Sequence, residues 1–386
     1  MRIVVAPDKF KGSLPAGEVA SALGRGLRST GDLEDLEVIE IPVADGGEGT
    51  VDAAVSSGGH RRRTLTVTGP VGLPVQASYA LRGTDAVIEL AQASGLDALP
   101  RDGAGAPQLD ALGAGSHGTG ELIADALEAG CTRIILGVGG SACTDGGAGL
   151  LTALGARLLD TEGVPVAPGG GSLAEVAHAD LTCLDPRLRE AEIVLAADVD
   201  NPLLGDRGAA AVFGPQKGAD PAGVAVLEHG LAILRERLTD TLGPHVRAVA
   251  DEPGAGAAGG VGFAALAVLG AARRPGIDVI LEFVQLPEHV RGADLVLTGE
   301  GSLDAQSLGG KTPLGVLRTA QAAGTPTIAV CGRSLLADHE AREAGFRAVH
   351  ALTDLEPDPD ICIRDAAALL HRTGALIAAT HRRTPA

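Results

Sequence analysis

Apolar and polar positions alternate at both ends of the chain in the order typical of parallel β-α units. Near the N-terminus, strand-like runs precede two segments of helical periodicity, residues 13–28 and a run beginning at Gly46; these strand-like runs are RIVVAPD and LEVIEIPVAD. The C-terminal part repeats the pattern with ADLVLTGEG, PTIAVCG and FRAVHALTD and with helical segments at 313–323, 335–344 and 360–380. Neither end supplies a full sheet alone, so we expect them to share one.

The middle of the chain has a different character. Short β-rich runs separated by Gly and Pro turns indicate an antiparallel meander; they are RTLTVTGPVG, VQASYALRG and DAVIELAQ. Beyond them the pattern predicts the strands TRIILGVGG and EIVLAADVD and helices at 119–129, 146–159, 224–242 and 259–272. At 386 residues the chain is long enough for two domains. We therefore predict an α/β domain formed by residues 1–70 and 285–386, with a second α/β domain, 71–284, inserted into it.

Composition changes this picture in two ways. The chain has no Trp, one Tyr, one Met and five Phe, so its cores must be packed with aliphatic side chains. Many of its 56 glycines follow apolar runs directly. Glycine at such a position allows the chain to turn sharply or a ligand to approach the backbone.

A formal net charge of -18 and a pI near 4.9 oppose binding to polyanions, so we expect neither nucleic acid nor a membrane surface as partner. The basic run at 61–63 opens a strand and is interpreted as a solvated edge. The five scattered cysteines lack metal-finger spacing and favour a reducing compartment. The N-terminal apolar run is too short for a signal peptide and no later run reaches membrane-spanning length, so we expect a cytoplasmic protein.

Five segments share one design, a hydrophobic strand that runs into glycine and acidic or hydroxyl residues before a helix. They are APDKFKGS, VADGGEGT, GVGGSACTDGGAG, AADVDNP and LTGEGSLD. An acid or a serine at one such place is equally well explained as a helix cap. Because the carboxyl ends of strands form the ligand crevice of open α/β sheets, five together predict a shared site. Its carboxylates would be Asp8, Asp45, Asp145, Asp198, Asp200, Glu300 and Asp304.

A crevice so rich in carboxylates would repel a nucleotide unless a hard cation lay between them, and magnesium supplies that bridge. Lys9, Lys11 and Lys311 are the nearby cations that could meet a phosphate or a substrate carboxylate. A carboxylate beside an acceptor hydroxyl would act as the base. These residue types fit phosphoryl transfer, although each lysine alone is also compatible with a solvated surface.

Two other motifs come close to known fingerprints. The run GVGGSA at 137–142 resembles a dinucleotide-binding loop, with Asp160 further on, but Asp145 would sit close to a pyrophosphate. The run AQSLGGKT at 305–312 ends like a P-loop but has alanine where the first glycine should be. We reject an ordinary P-loop and keep Lys311 as a possible phosphate contact.

Taken in order, six strings of this sequence resemble the bacterial glycerate kinase family that includes the enzymes of glucarate and glyoxylate metabolism. They span nearly the whole chain and are APDKFKGSLPAGEVA, PVADGGEGT, GVGGSACTDGGAG, AADVDNPLLG, FGPQKGA and LTGEGSLDAQSLGGKTPLGV. The resemblance implies a Rossmann-like or flavodoxin-like parallel-sheet domain built from both chain ends, with the second α/β domain inserted. It also implies ATP, Mg²⁺ and D-glycerate as ligands and phosphoglycerate as product, with 2-phosphoglycerate preferred over 3-phosphoglycerate.

The resemblance also carries site residues onto matching positions. These are Asp8, Lys9, Lys11 and Ser13; Asp45, Gly46, Gly47, Glu48 and Thr50; Ser141, Asp145 and Gly146; Asp198 and Asn201; and Glu300, Asp304 and Lys311. The expected catalytic residues are Asp8, Lys9, Lys11, Asp45 and Asp198, and the expected magnesium ligands are Asp45, Asp198 and Glu300. Lys9 or Lys11 would meet the substrate carboxylate, whereas Glu300 and Asp304 would organise the nucleotide. Ser302 stands where many relatives carry Arg.

Two other functions stay open from the sequence alone. An NAD(P)-dependent hydroxy-acid oxidoreductase would use the glycine run at 137–142 and need no ATP. A non-catalytic metabolite-binding protein would hold glycerate without forming product.

Overall fold

The computed structural model describes residues 1–29, 36–57, 59–304, 307 and 311–381. In chain order its strands are β1 (Arg2–Pro7), β2 (Glu37–Glu40), β3 (Arg61–Thr68), β4 (Pro74–Arg82), β5 (Asp85–Glu89), β6 (Arg133–Gly137), β7 (Arg157–Leu159), β8 (His178–Asp180), β9 (Glu192–Ala196), β10 (Ala272–Arg274), β11 (Leu295–Gly299), β12 (Ser302–Leu303), β13 (Thr327–Cys331), β14 (Arg333–Ser334) and β15 (Ala348–Ala351). Its helices are α1 (Ala16–Arg28), α2 (Thr50–Ser56), α3 (Leu90–Ser94), α4 (His117–Glu128), α5 (Ala148–Ala153), α6 (Ala209–Phe213), α7 (Pro221–Leu242), α8 (His245–Ala250), α9 (Ala257–Ala267), α10 (Gly276–Phe283), α11 (Leu286–Val290), α12 (Thr312–Ala322), α13 (Asp338–Ala344), α14 (Pro359–Arg364) and α15 (Ala366–His381).

The chain divides into two compact units. Unit 1 comprises Met1–Asp45, Asp52–His60 and Ile277–Ala386, and unit 2 comprises Gly46–Val51 and Arg61–Gly276. These boundaries differ from those expected at 70/71 and 284/285. The first differs because β3 pairs with β4 along its whole length and so belongs to the sheet of unit 2. The second differs because most of α10 lies in unit 1.

The sheet of unit 1 is parallel and has the strand order β15-β13-β11-β1-β2. Strand β1 lies in its interior, where Ile3 pairs with Leu295 of β11 and with Val38 of β2. The three inner strands β1, β11 and β13 are near-continuous apolar runs, as expected of a parallel sheet buried on both faces, whereas the edge strand β2 is partly exposed. The prediction that both chain ends build one parallel sheet is confirmed.

The sheet of unit 2 has the order β10-β9-β6-β5-β4-β3. Strands β3, β4 and β5 form the predicted antiparallel meander, whereas β5, β6, β9 and β10 are mutually parallel. The parallel half therefore presents the carboxyl ends of several strands at one edge, which is where an α/β sheet places its ligands.

Two predicted helices differ in the structure. The segment 146–159 forms only α5, because Gly155 adopts φ +102° and the chain then enters β7. The segment 360–380 forms α14 and α15, which are separated at Asp365. Both segments keep the apolar periodicity of one longer helix, so the pattern alone could not locate the break.

Each unit has its own aliphatic core. In unit 2 the fully buried Tyr79 and Phe263 are surrounded by Leu, Ile, Val and Ala. In unit 1 the side chains of β1 and β11 pack against α1 and α15. Helices α1 and α15 approach each other closely at two glycines. A Cβ on Gly26 would lie 2.0 Å from the His371 carbonyl oxygen, and a Cβ on Gly374 would lie 2.5 Å from the Leu23 carbonyl oxygen. Within the described ranges, no helix is long and apolar enough to span a bilayer.

Candidate functional site

In unit 1 the carboxyl ends of β1 and β11 carry Asp8 and Glu300. The backbone N–H of Asp8 donates to the Gly299 carbonyl over 2.8 Å, which ties the two strand ends together. The segment after β2 continues alongside β1 through hydrogen bonds to its carbonyls and leads to Asp45. The charge of Asp45 acts on Asp8, so the structure brings these two predicted residues together.

Asp8 is held from two sides. The Thr312 hydroxyl, at the start of α12, donates to Asp8 Oδ2 over 2.6 Å, and the Lys9 backbone N–H donates to Oδ1 over 2.6 Å. Burial and then the charge of Asp45 raise the pKa of Asp8 from 3.8 to about 7, although both hydrogen bonds lower it. A carboxyl group with this pKa exchanges its proton near neutral pH. Sequence reasoning did not select Thr312 as a partner of Asp8, because the two residues are 304 positions apart.

Glu300 has an unsatisfied oxygen. Its Oε1 is buried and finds no hydrogen-bond donor among the described residues. Burial raises the pKa of Glu300; a hydrogen bond from Ser307 and the charge of Lys311 lower it, and Asp304 and Asp45 raise it further. Buried carboxylate oxygens are normally paired, so this atom is suited to a cation or to a ligand donor.

The chemistry of these carboxylates fits a magnesium ion, but a complete protein cage is not preformed. Across the part of the chain that the structure describes, no three His, Cys, Asp or Glu side chains are grouped to hold a metal ion. Magnesium usually takes only one or two carboxylates, and phosphate and water oxygens fill its other positions. The assignment of Asp45, Asp198 and Glu300 as ligands stays a prediction.

The loop after β1 carries the other N-terminal candidates. Lys11 is exposed and Lys9 is partly exposed. The Ser13 hydroxyl donates to the Ile363 carbonyl over 2.6 Å, so it anchors the loop to α14. Across the loop, a Cβ on Gly301 would lie 3.3 Å from the Lys11 nitrogen. The loop therefore lies against the backbone that follows Glu300.

In unit 2 the loop of residues 46–50 lies across the ends of β6 and β9. Gly46 has φ +89°, and a Cβ there would lie 3.4 Å from the Ala196 Cβ and 3.1 Å from the Gly276 Cα. A Cβ on Gly137 would lie 2.2 Å from the Gly46 carbonyl oxygen, and one on Gly139 would lie 2.9 Å from the Gly47 Cα. The glycines are required because two backbone segments touch here.

The same loop is closed by a buried hydroxyl and a buried carboxylate. The Thr50 hydroxyl donates to the Gly47 carbonyl over 2.7 Å. Glu89, at the end of β5 and 1% exposed, accepts the backbone N–H of Gly49 over 3.3 Å and that of Val51 in a shorter bond. Glu48 remains exposed. Sequence reasoning missed Glu89; the available signal was one acid within the otherwise apolar run AVIEL at 86–90.

Asp198, after β9, lies beside this loop. It is exposed, and its Oδ1 accepts the Gly276 backbone N–H over 2.8 Å. Because the Gly276 Cα also faces Gly46, the structure brings Asp198 and the 46–50 loop together within unit 2. Asn201 lies further along, where its side-chain nitrogen donates to the Arg207 carbonyl over 2.8 Å. Asp200 pairs with the Arg207 guanidinium over 3.0 Å.

Asp145 is a structural residue in this arrangement. It is fully buried, and it accepts the Ser116 hydroxyl and N–H, each over 2.8 Å, and the N–H groups of Gly147 and Gly149 over 3.1 and 3.0 Å. The start of α5 is thereby occupied by a carboxylate. The helix that follows the glycine run at 137–142 thus does not offer its first N–H groups to a pyrophosphate, which argues against a dinucleotide site.

Two further predicted residues take part in packing near Asp145. Ser141 is 8% exposed and forms a β-bridge with Gly95. Gly146 has φ +63°, and its N–H donates to the Gly259 carbonyl over 2.9 Å. Contacts of Ser141, Asp145 and Gly146 with a ligand stay predictions.

Lys217 is a second buried charge in this part of unit 2. It is 1% exposed, and its Nζ donates to the Cys143 carbonyl over 2.5 Å. Burial lowers the pKa of Lys217, whereas the Cys143 thiol and Asp145 raise it. It therefore fixes the loop that follows β6.

The last predicted motif is only partly described. Residues 305–306 and 308–310 of AQSLGGKT lie outside the described residues, whereas Lys311 is exposed and precedes α12. The Asp304 backbone N–H donates to the Ser307 hydroxyl over 2.9 Å. Ser302 accepts a hydrogen bond from the Arg333 Nε over 3.2 Å. Sequence reasoning missed Arg333.

Comparison with known proteins places these residues in a family. The model of the glycerate kinase family matches residues 3–382. A glycerate 2-kinase of Escherichia coli (strain K12) is 47% identical over 334 residues, 86% of this chain and 85% of the relative. A glycerate kinase of Bacillus subtilis (strain 168) is 43% identical over 382 residues, 98% and 97% of the two chains. A crystal structure assigned to glycerate kinase 2 of Salmonella typhimurium LT2 matches with a TM-score of 0.85 at 43% identity and covers 99% of this chain and 98% of that chain. With its two α/β units and its acidic strand ends, this chain belongs to the glycerate kinase family.

Proposed function

We propose that this protein transfers the γ-phosphoryl group of ATP to a hydroxyl of D-glycerate and that 2-phosphoglycerate is the product. The observation that carries the proposal is the edge of the unit 1 sheet, where the charge of Asp45 acts on both Asp8 and Glu300 and the charge of Lys311 acts on Glu300. Like charges that act on one another in this way favour a cationic partner. The names of the relatives support glycerate as the acceptor.

Magnesium would be held by Asp45 and Glu300, with Asp198 as a further candidate. The ion would neutralise the phosphate charge that otherwise opposes binding to an acidic protein. The unpaired buried Oε1 of Glu300 supports this assignment, because a cation would satisfy it.

The chain's own residues position the reactants and move protons. Lys9 and Lys11 offer cations on the loop after β1, where they would meet the glycerate carboxylate or the γ-phosphate. Asp198 or Asp45 would accept the proton of the attacking hydroxyl. The 46–50 loop, fixed by Glu89, would present Gly47 and Glu48 to the substrate. The free state of all five cysteines supports the cytoplasm as its compartment.

Purified protein incubated with D-glycerate and Mg-ATP tests the proposal, and phosphorus NMR of the product identifies the phosphorylated hydroxyl. ATP consumption that requires both glycerate and magnesium is expected. Nicotinamide reduction without ATP would instead indicate an oxidoreductase, and glycerate binding without product would indicate a binding protein.

Two substitutions test the site. Asp198→Asn and Lys11→Ala should each lower kcat by about 100-fold or more, because a base or a charge at the transferring group would be lost. Thermal unfolding should stay close to that of the unchanged protein, since both side chains are exposed. Near-native turnover in both variants would remove these residues from the site.

A further inference from the structure

Arg333 lies at the same edge of unit 1 as Glu300. It follows β13 and opens β14, which pairs in parallel with β12 so that Arg333 is opposite Ser302 and Ser334 is opposite Leu303. Strands β13 and β11 are neighbours in the main sheet. The carboxyl ends of these two strands therefore place an arginine beside the segment that carries Glu300.

The backbone around Arg333 is held in a fixed register. The N–H groups of Gly332 and Arg333 donate to the carbonyls of Glu300 and Gly301 over 3.3 and 3.2 Å. A Cβ on Gly332 would lie 2.5 Å from the Gly301 carbonyl oxygen, so no side chain fits there. The starting point of the Arg333 side chain is thus set by its neighbour strand.

Among the described residues, the hydrogen-bond partner of the Arg333 guanidinium is a neutral hydroxyl. Its Nε donates to the Ser302 hydroxyl over 3.2 Å, and the side chain is exposed. Within the described ranges it forms no ion pair with a carboxylate, unlike Arg28 and Arg364 of the same unit, which pair with Glu40 and Asp365. Since a guanidinium carries five N–H donors, most of its hydrogen-bonding capacity is left for another acceptor.

We infer that Arg333 binds an oxyanion of a substrate and that Ser302 orients its guanidinium. The inference rests on the proposed function. A planar guanidinium matches the paired oxygens of a phosphate or a carboxylate, and a chain of net charge -18 needs local cations wherever it binds such a group. The oxyanion is a phosphate of the nucleotide or the carboxylate of the hydroxy acid, and kinetics distinguishes these two sources.

The first test is Arg333→Ser at saturating magnesium. The KM of one anionic substrate should rise by about 10- to 100-fold, because hydrogen bonds to a charged group are lost, while the KM of the other changes little. A raised KM for Mg-ATP assigns the contact to phosphate, and a raised KM for D-glycerate assigns it to the carboxylate. Arg25→Ser, at an exposed arginine on α1, makes the same change of net charge and should leave both KM values unchanged.

The decisive test exchanges the two paired residues. In the double variant Ser302→Arg with Arg333→Ser, the guanidinium starts from the neighbouring strand, about 5 Å away and on the same face of the pair. It should still reach the oxyanion, so the raised KM should return most of the way towards the original value. Loss of a merely structural arginine would not be repaired in this way.

Clear outcomes contradict the inference. KM values within twofold of the original in Arg333→Ser, or no recovery in a double variant that melts normally, would overturn it. If Arg333→Ser does not fold, Arg333→Gln, which keeps most of the side-chain stem, decides by the same KM criterion. Absence of kinase activity in the unchanged protein would instead contradict the proposed function, so the two failures are distinguishable.

Discussion

At the scale of single residues, buried carboxylates hold the glycine-rich loops in place. Glu89 binds the backbone of the 46–50 loop, and Asp145 binds the backbone at the start of α5. A buried carboxylate is tolerated when backbone N–H groups satisfy it. Asp8 differs, because it accepts two hydrogen bonds and still keeps a raised pKa.

The raised pKa of Asp8 predicts a pH-dependent loss of stability. Between pH 3.8 and about 7 the folded protein holds a proton on Asp8 that the unfolded chain has released. The free energy of unfolding therefore falls as pH rises through this window. Relative to Asp8→Asn, the unchanged protein should lose at most about 4 kcal/mol, at 1.36 kcal/mol for each pKa unit. Urea unfolding of both proteins without magnesium, at several pH values from 4 to 8, measures the difference; parallel curves would contradict the assigned pKa.

The candidate site could be predicted where chemistry is local in the sequence. Asp8 and Glu300 were selected as candidates because each follows an apolar strand directly, and strand ends meet at one edge. Thr312, Glu89 and Arg333 were missed because their partners lie on segments distant in sequence. Pairing of this kind depends on strand order and register, which one sequence does not reveal.

At the scale of elements, the contact between α1 and α15 depends on the absence of side chains. The Cβ positions of Gly26 and Gly374 are filled by backbone atoms of the other helix. Glycine in a helix is intrinsically unfavourable by about 1 kcal/mol relative to alanine. Close helix packing is the reason these two glycines are tolerated.

Gly26→Ala should therefore destabilise unit 1 although alanine is the better helix former. Its Cβ would lie 2.0 Å from the His371 carbonyl oxygen, so the helices must separate, at a cost of about 1–3 kcal/mol. Gly17→Ala on the same helix is the control, because its Cβ would lie 3.1 Å from the hydroxyl of Ser56, which can rotate away. Thermal or urea unfolding should show a loss of stability in the first variant and little change or a small gain in the second. Equal effects would mean that helix packing does not select the glycine.

The order and type of most elements could be predicted from hydrophobic periodicity, including the meander β3-β4-β5. The ends of elements could not be predicted equally well. Residues 146–159 keep a helical pattern, but the backbone leaves the helical conformation at Gly155, which has a positive φ. Gly155 packs against the Cys183 carbonyl, and a Cβ on it would lie 2.1 Å from that oxygen. A tertiary contact thus overrides the local pattern.

At the scale of the whole molecule, the two units differ in whether one continuous chain segment forms the core. The core of unit 2 is formed entirely within residues 61–276, whereas that of unit 1 needs both chain ends. Strand β11 pairs with β1 on one side and with β13 on the other. Removal of the N-terminal segment would expose one edge of β11 and part of the core.

A fragment of residues 61–276 should therefore fold alone, with a cooperative thermal transition. It would be less stable than unit 2 in the intact chain, because Glu89 loses the N–H groups of Gly49 and Val51. A fragment of residues 277–386 should lack a cooperative transition, since β1 is missing. Circular dichroism and calorimetry of both fragments measure this. An unfolded 61–276 fragment, or a cooperatively folded 277–386 fragment, would contradict the division.

The pairing of Ile3 with Leu295 also has a consequence for synthesis on the ribosome. Translation at about 5–20 residues per second separates the appearance of these two strands by roughly 15–60 s. During that interval the nascent β1 has only β2 as a sheet neighbour, and two strands alone are marginally stable in water. Strand β1, which leaves the exit tunnel long before β11, is thus among the last strands to complete its pairing, and a nascent-chain chaperone would find this apolar strand available throughout.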